Sequence, residues 1–454
     1  MERKYAIQSV MSPRINKDSY LLDHFDQNKA YLFQKDKVAH PETLLKEMKA
    51  RYEWYRQGWR GIPKEAIDRK LSHDFYKEMQ TPPLCVDIEI AAICDLACPF
   101  CYRQYIATPD KYMPTELAFQ IIDQCAELGV PSIKLNWRGE PLMHRHIDRF
   151  VRYAKEKGIL EVILNTNATH LTPEMSKELI AGGLDVMIYS FDGGTPETYN
   201  KMRVGRVKPN IFEKVYENIR TFADIRRELG SPFPFTKIQM ILTEDTFHEQ
   251  ESFYQLFNGW VDDVSTKAYT ERGGSLETLS SEEKIAIYDY RKEKYNETTL
   301  RQDLQHWKDH RGVLHIEDGR IPCEQIFQRL MVSYDGRVFM CCYDWGNEHP
   351  VGFVSERSFA KGDQDYDDVI ESAKTGKKGF EMMHLTMPHR QVKTTQIVQT
   401  LKDIWDGRML NGVRKAHING KLKSIQICKK CNFKETFQWK KIEVEVTPVE
   451  SAAS

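Results

Sequence analysis

Cys94, Cys98 and Cys101 fall within the eight residues CDLACPFC, a spacing that lets three thiolates converge on one metal centre from a single loop. Soft sulfur ligands of this kind select zinc or iron–sulfur centres. Zinc needs a fourth ligand to close its tetrahedron, whereas a cubane cluster has four irons, and three cysteines leave one iron open to a reactant. A second set of cysteines lies far downstream: Cys323, the neighbours Cys341 and Cys342, then Cys428 and Cys431.

The elements that position these residues alternate. After Pro82-Pro83, LCVDIEIAA reads as a buried strand that delivers the cysteine loop. TELAFQIIDQCAEL is a helix, SIKLNW a strand, HIDRFVRYAKEKG a helix and EVILNTN a strand. TPEMSKELIAGG follows as a helix with Thr172 as N-cap and Gly182 at its end, and then DVMIYSFDG as a strand. NIFEKVYENIRTFADIRREL is the next helix; TKIQMILTE and VDDVSTKAYTE are the fifth and sixth strands. Alternation of this kind implies an α/β fold of parallel strands with helical crossovers.

Residues 1–80 read as a helical extension: PETLLKEMKARYEWYRQGW and PKEAIDRKLSHDFYKEM are two helices opened by Pro41 and Pro63. Tyr52, Trp54, Tyr55 and Trp59 either pack on the next domain or cover a substrate mouth. Residues 275–322, with LRQDLQHWKDH, read as a helical connector.

A length of 454 residues with 41% hydrophobic side chains supports two or three domains. Lys plus Arg at 65 against Asp plus Glu at 66 argues against a broad nucleic-acid footprint. MERKYAIQSV lacks a signal-peptide core and no apolar run of about 18 residues occurs, so a cytoplasmic protein without a membrane segment is expected. All cysteines but Cys85 and Cys125 are clustered, which in a reducing compartment reads as metal ligation.

Cys-x3-Cys-x2-Cys with Phe100 before the last cysteine resembles the signature of the radical S-adenosylmethionine (SAM) superfamily. The resemblance implies a partial (β/α)6 TIM-like barrel over residues 81–274 and a 4Fe-4S cluster whose open iron binds SAM. Reductive cleavage would then give a 5'-deoxyadenosyl radical that abstracts a substrate hydrogen. Gly139-Glu140-Pro141 resembles the family's GGEP motif with Arg138 in place of the first glycine. Asn165 and Asn167 after the third strand, Ser190 and Arg203 around SFDG, and Gln239 on the fifth strand are the further cofactor-binding candidates that follow. Glu271, Arg272 and Tyr269, at the sixth strand end, are places to look for a catalytic base, with Cys342 as a hydrogen donor.

VSYDGRVFMCCYDW, IWDGRMLNGVRKAH and the pair Cys428, Cys431 resemble the SPASM/twitch extension of that superfamily, here spanning 323–440 with an insertion at 355–400 and a tail at 441–454. It implies one auxiliary 4Fe-4S cluster held by Cys323, Cys341, Cys428 and Cys431, with Cys342 as the alternative to Cys341; four cysteines also suit a zinc ribbon. The expected activity is oxidation of a small carbohydrate-like or aminocyclitol metabolite, with the auxiliary cluster accepting an electron. Peptide or protein maturation, redox-neutral epimerisation and a non-catalytic metal-binding scaffold are the alternatives. An external electron donor such as flavodoxin or ferredoxin is the expected partner.

Overall fold

Strands β1 (Cys85–Ile88), β2 (Ser132–Lys134), β3 (Glu161–Thr166), β4 (Val186–Ser190), β5 (Phe235–Leu242) and β6 (Asp263–Ala268) lie side by side in chain order, all parallel. The computed structural model describes residues 15–71, 75–104, 110–208, 210–243, 245–268, 306–308, 314–347, 349–359, 398–431 and 437–442. Helices cross from each strand to the next, as parallel pairing demands. The helix Thr115–Leu128 shows why: Leu117, Ala118, Ile121, Ile122, Cys125 and Leu128 recur at helical spacing and are the face it buries. Gly129, left-handed at φ 80°, ends it. Thr172 caps the next-but-one helix by accepting from Met175 N–H, and that helix ends at Gly182 as expected, with Gly183, left-handed at φ 93°, as its C-cap. Two helices are absent from the sequence reading: Pro196–Met202, which joins Phe212–Glu228 in the β4–β5 crossover, and Gln250–Phe257, which makes the β5–β6 crossover. Six strands of this order form a partial TIM-like barrel.

Beyond the sixth strand come β7 (His306–Lys308), β8 (Leu314–Arg320), β9 (Arg329–Val332), β10 (Arg337–Phe339), β11 (Pro350–Phe353) and β12 (Phe437–Ile442). The connector is therefore not helical where it is described: Trp307 pairs with His315, and β12 adds to the other side of β8. Pairing between distant segments overrides the helical preference of a charged stretch. β9 runs parallel to β1, with Cys85 opposite Arg329, and β10 and β11 continue antiparallel, so the barrel sheet extends directly into the C-terminal part. Gly336, at φ 94°, turns the β9–β10 hairpin.

In the N-terminal extension two short helices, Lys17–Asp23 and Lys29–Leu32, precede one long helix, Pro41–Asp68, and the short helix Phe75–Met79 follows it. Pro63 sits inside the long helix instead of opening a second one. Its ring nitrogen cannot donate to the carbonyl of Trp59, and the side chain of Gln328 does so instead, at 2.5 Å. Tyr55 donates to Glu161 at 2.8 Å and Lys17 pairs with the same carboxylate. Glu161 opens β3, so these contacts lie at the amino end of the barrel, not over the mouth where the strand ends converge. Among the described residues no helix is long and apolar enough to cross a membrane.

Candidate metal centres

The loop after β1 carries Cys94, Cys98 and Cys101 over a cleft of about 360 Å³. Gly139, Glu140, Asn165, Asn167, Ser190 and Arg203 line the same cleft, so residues from the ends of β2, β3 and β4 and from the end of the helix Pro196–Met202 meet the three thiols there. Pro141 is buried at the start of the short turn Pro141–Met143, and Gln239, paired with Ser190 across β4 and β5, is half-buried; neither belongs to the lining. Tyr269, Glu271 and Arg272 lie outside the described residues, as does most of the 355–400 insertion.

Each lining residue has a definable mechanical task. A Cβ on Gly139 would come within 2.3 Å of the Ala91 carbonyl oxygen and 2.4 Å of that of Ile93, so the glycine lets β2's end lie against the start of the cysteine loop. The Glu140 carboxylate accepts from Leu142 N–H at 3.0 Å, Thr166 Oγ1 at 2.7 Å and Asn167 N–H at 2.7 Å, tying β2's end to β3's. Burial outweighs these donors and raises its pKa to about 7. The Asn167 amide donates to Asp95 at 2.9 Å, and Thr169 donates to the other oxygen of Asp95 at 2.6 Å. Burial works to raise the Asp95 pKa, but hydrogen bonds from His170, Thr169 and Asn167 overcome it and bring it to about 2. The cysteine loop is thus anchored by a permanent anion beside Cys94.

Arg203 donates through Nε to Asp192 at 2.7 Å and lies 5.4 Å over the Phe100 ring, inside the cysteine loop. Arg138, where the motif has glycine, forms a two-pronged ion pair with Glu89 and donates through Nη1 to the Trp345 carbonyl at 3.0 Å. Asn347, with its amide oxygen turned inward, accepts from both Nη atoms at 3.0 and 2.8 Å. Trp137 Nε1 donates to the Cys342 carbonyl at 3.1 Å, and Tyr102 meets Trp345 edge-on. The segment after β10 is consequently pinned across the same cleft, which Cys342 and Trp345 also line.

The donor set fits an iron–sulfur cluster with a bound small molecule. Burial pushes the Cys98 thiol up to about 12 and the Cys94 thiol higher still, so both are neutral until a cation draws off their protons. Asn165 Oδ1 and Asn136 Oδ1, both from residues lining the cleft, are buried acceptors with no partner. Such orphans call for a donor that the chain does not itself supply.

The second set gathers as well. Cys341 is hydrogen-bonded to Cys342 and feels Cys323 and Cys431, while burial and then Cys431 and Cys323 raise Cys428. His417, unnoticed in the sequence, joins two of them: its Nδ1 accepts from Cys323 N–H at 3.1 Å, which leaves the ring proton on Nε2, 3.3 Å from Cys428 Sγ. Burial, helped by Arg320, lowers its pKa to about 4. Among the described residues no three His, Cys, Asp or Glu side chains close around a single ion.

Family models match the chain as a radical SAM superfamily domain over residues 88–256 and an iron-sulfur cluster-binding SPASM domain over 323–369. It is 34% identical over 158 residues to an AdoMet-dependent heme synthase of Methanosarcina barkeri, covering 35% of this chain and 42% of that one. It is 27% identical over 165 residues to a tungsten-containing aldehyde ferredoxin oxidoreductase cofactor-modifying protein of Pyrococcus furiosus, covering 36% and 44%. The matched stretch spans less than half the length of either relative. Among solved structures, SuiB of Streptococcus suis bound to S-adenosylmethionine aligns with a TM-score of 0.46 at 16% identity, covering 89% of this chain and 87% of that one.

Proposed function

For a chain that carries a radical SAM domain and a C-terminal iron–sulfur SPASM domain, we propose a two-electron oxidation of a small, hydroxylated or aminated metabolite seated in the cleft between its two cysteine sets. When bound, the first cluster and SAM supply a 5'-deoxyadenosyl radical that takes one hydrogen atom from a substrate carbon. The auxiliary cluster, when bound, would take up the second electron as a base takes the proton, which would complete a two-electron oxidation. The protein's part is to hold the reactants in register and away from water.

In this reading Cys94, Cys98 and Cys101 hold the first cluster. Asn165, Ser190 and Arg203 face SAM, Arg203 with its guanidinium toward the carboxylate, while Glu140 and Asn167 keep the strand ends and the cysteine loop in place. Cys323, Cys341, Cys428 and Cys431 hold the auxiliary cluster, with Cys342 as the alternative to Cys341. The observation that carries the proposal is that the cleft under the first three cysteines is also lined by Cys342 of the second set. An electron would have little distance to travel.

The test is iron and sulfide content after anaerobic reconstitution, beside a variant with Cys94, Cys98 and Cys101 all changed to Ala, together with 5'-deoxyadenosine release on reduction with SAM. About eight irons falling to about four supports two clusters. About four falling to near zero, with zinc in the C-terminal part, would sink the electron-acceptor role. The position of Cys342 favours one second reading, an epimerisation redox-neutral for the substrate, in which its thiol returns a hydrogen atom and the thiyl left behind would regain an electron from the external donor and a proton from solvent. Product free of deuterium after turnover in deuterated water would eliminate it.

A further inference from the structure

Asp87 on β1 stands directly opposite Lys134 on β2, and Arg329 on β9 stands opposite Cys85, two residues before Asp87 on the same face of β1. All three charged side chains line the cleft. Their charges do not cancel. Asp87 is taken by Arg329, whose Nη1 donates to it at 3.1 Å. Lys134 makes no hydrogen bond or ion pair with any described residue, although it is half-buried. The other cations of the lining are engaged: Arg103 with Asp110, Arg138 with Glu89, Arg203 with Asp192, and Lys267 in contacts of its own.

An ammonium withdrawn from water whose facing carboxylate, Asp87, is already bonded to another cation is costly, and a fold retains such a group where something else completes its neutralisation. Arg329, although paired with Asp87, keeps one unmet donor: its Nε is buried without an acceptor, and its guanidinium lies over the Trp59 ring at 4.9 Å. One surplus positive charge and two cationic residues with unmet donors therefore line a single cleft. Asn136, two residues beyond Lys134, adds the unpartnered acceptor Oδ1.

We propose that Lys134 and Arg329 form the seat for an oxyanion, carboxylate or phosphate, carried by the substrate, with the Asn136 carbonyl receiving a hydroxyl or amino group of the same molecule. The inference rests on the cleft being the substrate site and narrows the substrate to a small acid or phosphate ester that also bears hydrogen-bond donors. The guanidinium supplies a planar fork and the ammonium a point charge, a pairing suited to either oxyanion.

The test uses the reconstituted holoenzyme with SAM and follows its thermal midpoint during titration with acetate or with inorganic phosphate, against potassium chloride at equal ionic strength. A saturable rise with at least one anion is expected. Phosphate alone would assign a phosphate ester, acetate alone a carboxylate. Lys134→Gln should weaken that binding by about ten-fold or more and Lys134→Arg by no more than about three-fold. Lys134→Met should raise the midpoint without anion and abolish the response to it, which keeps the test valid if the glutamine variant does not retain its iron. No response beyond chloride, or wild-type affinity in the Lys134→Gln or Lys134→Met protein, overturns the seat. Release of 5'-deoxyadenosine is measured in the same preparations. Its absence from wild type counts against the oxidation reading, whereas its presence without anion binding counts against the seat alone.

Discussion

Arg138 and Glu89 meet in a doubly hydrogen-bonded ion pair, Nε to Oε1 and Nη2 to Oε2 both at 2.7 Å, with side-chain exposures of 1% and 0%. The remaining nitrogen reaches the Trp345 carbonyl, so one guanidinium links the end of β2, the end of β1 and the segment that carries Cys341 and Cys342. Arg138→Gln leaves Glu89 buried without its partner and should cost about 3–5 kcal/mol in urea unfolding. Arg138→Met combined with Glu89→Leu should recover most of that loss. Equal stabilities for wild type and Arg138→Gln would show that the pair has no net effect.

His417 donates toward Cys428 Sγ through Nε2. A hydrogen bond to a ligand sulfur stabilises the more negative, reduced state of a cluster and so raises its potential. His417→Leu is expected to shift the auxiliary cluster to a lower midpoint in an EPR-monitored redox titration, with iron content unchanged. An unaltered midpoint would disconnect His417 from the cluster.

His144 is buried, with Nε2 on the Met113 carbonyl at 3.0 Å and Nδ1 accepting from His146 N–H at 3.2 Å. Burial lowers its pKa below the ordinary 6.5. The unfolded chain then binds more protons than the native one below about pH 6.5, so stability is lost as pH falls through that value. His144→Gln, which cannot titrate, should show a shallower loss between about pH 6.5 and 5. Parallel curves for the two proteins would remove His144 as the cause.

Pro63 and Gln328 make a separable pair. Gln328→Leu strands the half-buried Trp59 carbonyl and should cost about 1–3 kcal/mol. In a Pro63→Ala background the restored amide can donate to that carbonyl, and the same substitution should cost about 1 kcal/mol less. Additive losses in the double mutant would refute the exchange.

The first metal site and the six-strand alternation are legible in the sequence because they rest on residue type and short spacing: thiols in one loop, apolar residues at helical or strand period. The neighbours of those residues are not. Arg138 reads as a departure from a glycine motif until Glu89 and Trp345 are seen around it. Lys134 reads as an ordinary polar strand end, since nothing local says that the carboxylate opposite it belongs to Arg329. His417 lies 11 residues from Cys428 and 94 from Cys323, separations at which spacing carries no information. The strand at Trp307 was hidden for a similar reason, because its pairing with His315 and the later addition of β12 are tertiary choices.

The pairing of β9 with β1 governs how the molecule can be divided. Leu330 and Val332 lie opposite Val86 and Ile88, and the backbone donors and acceptors of Cys85–Ile88 on that side are answered by β9. A fragment ending after Ala268 would present β1 as a bare, mostly apolar edge to other chains, a template for self-association. The two cysteine sets are in that sense not modules to be cut apart or exchanged: the later segment closes the margin of the earlier one, and a radical SAM barrel produced without it is expected in the aggregate, not the supernatant.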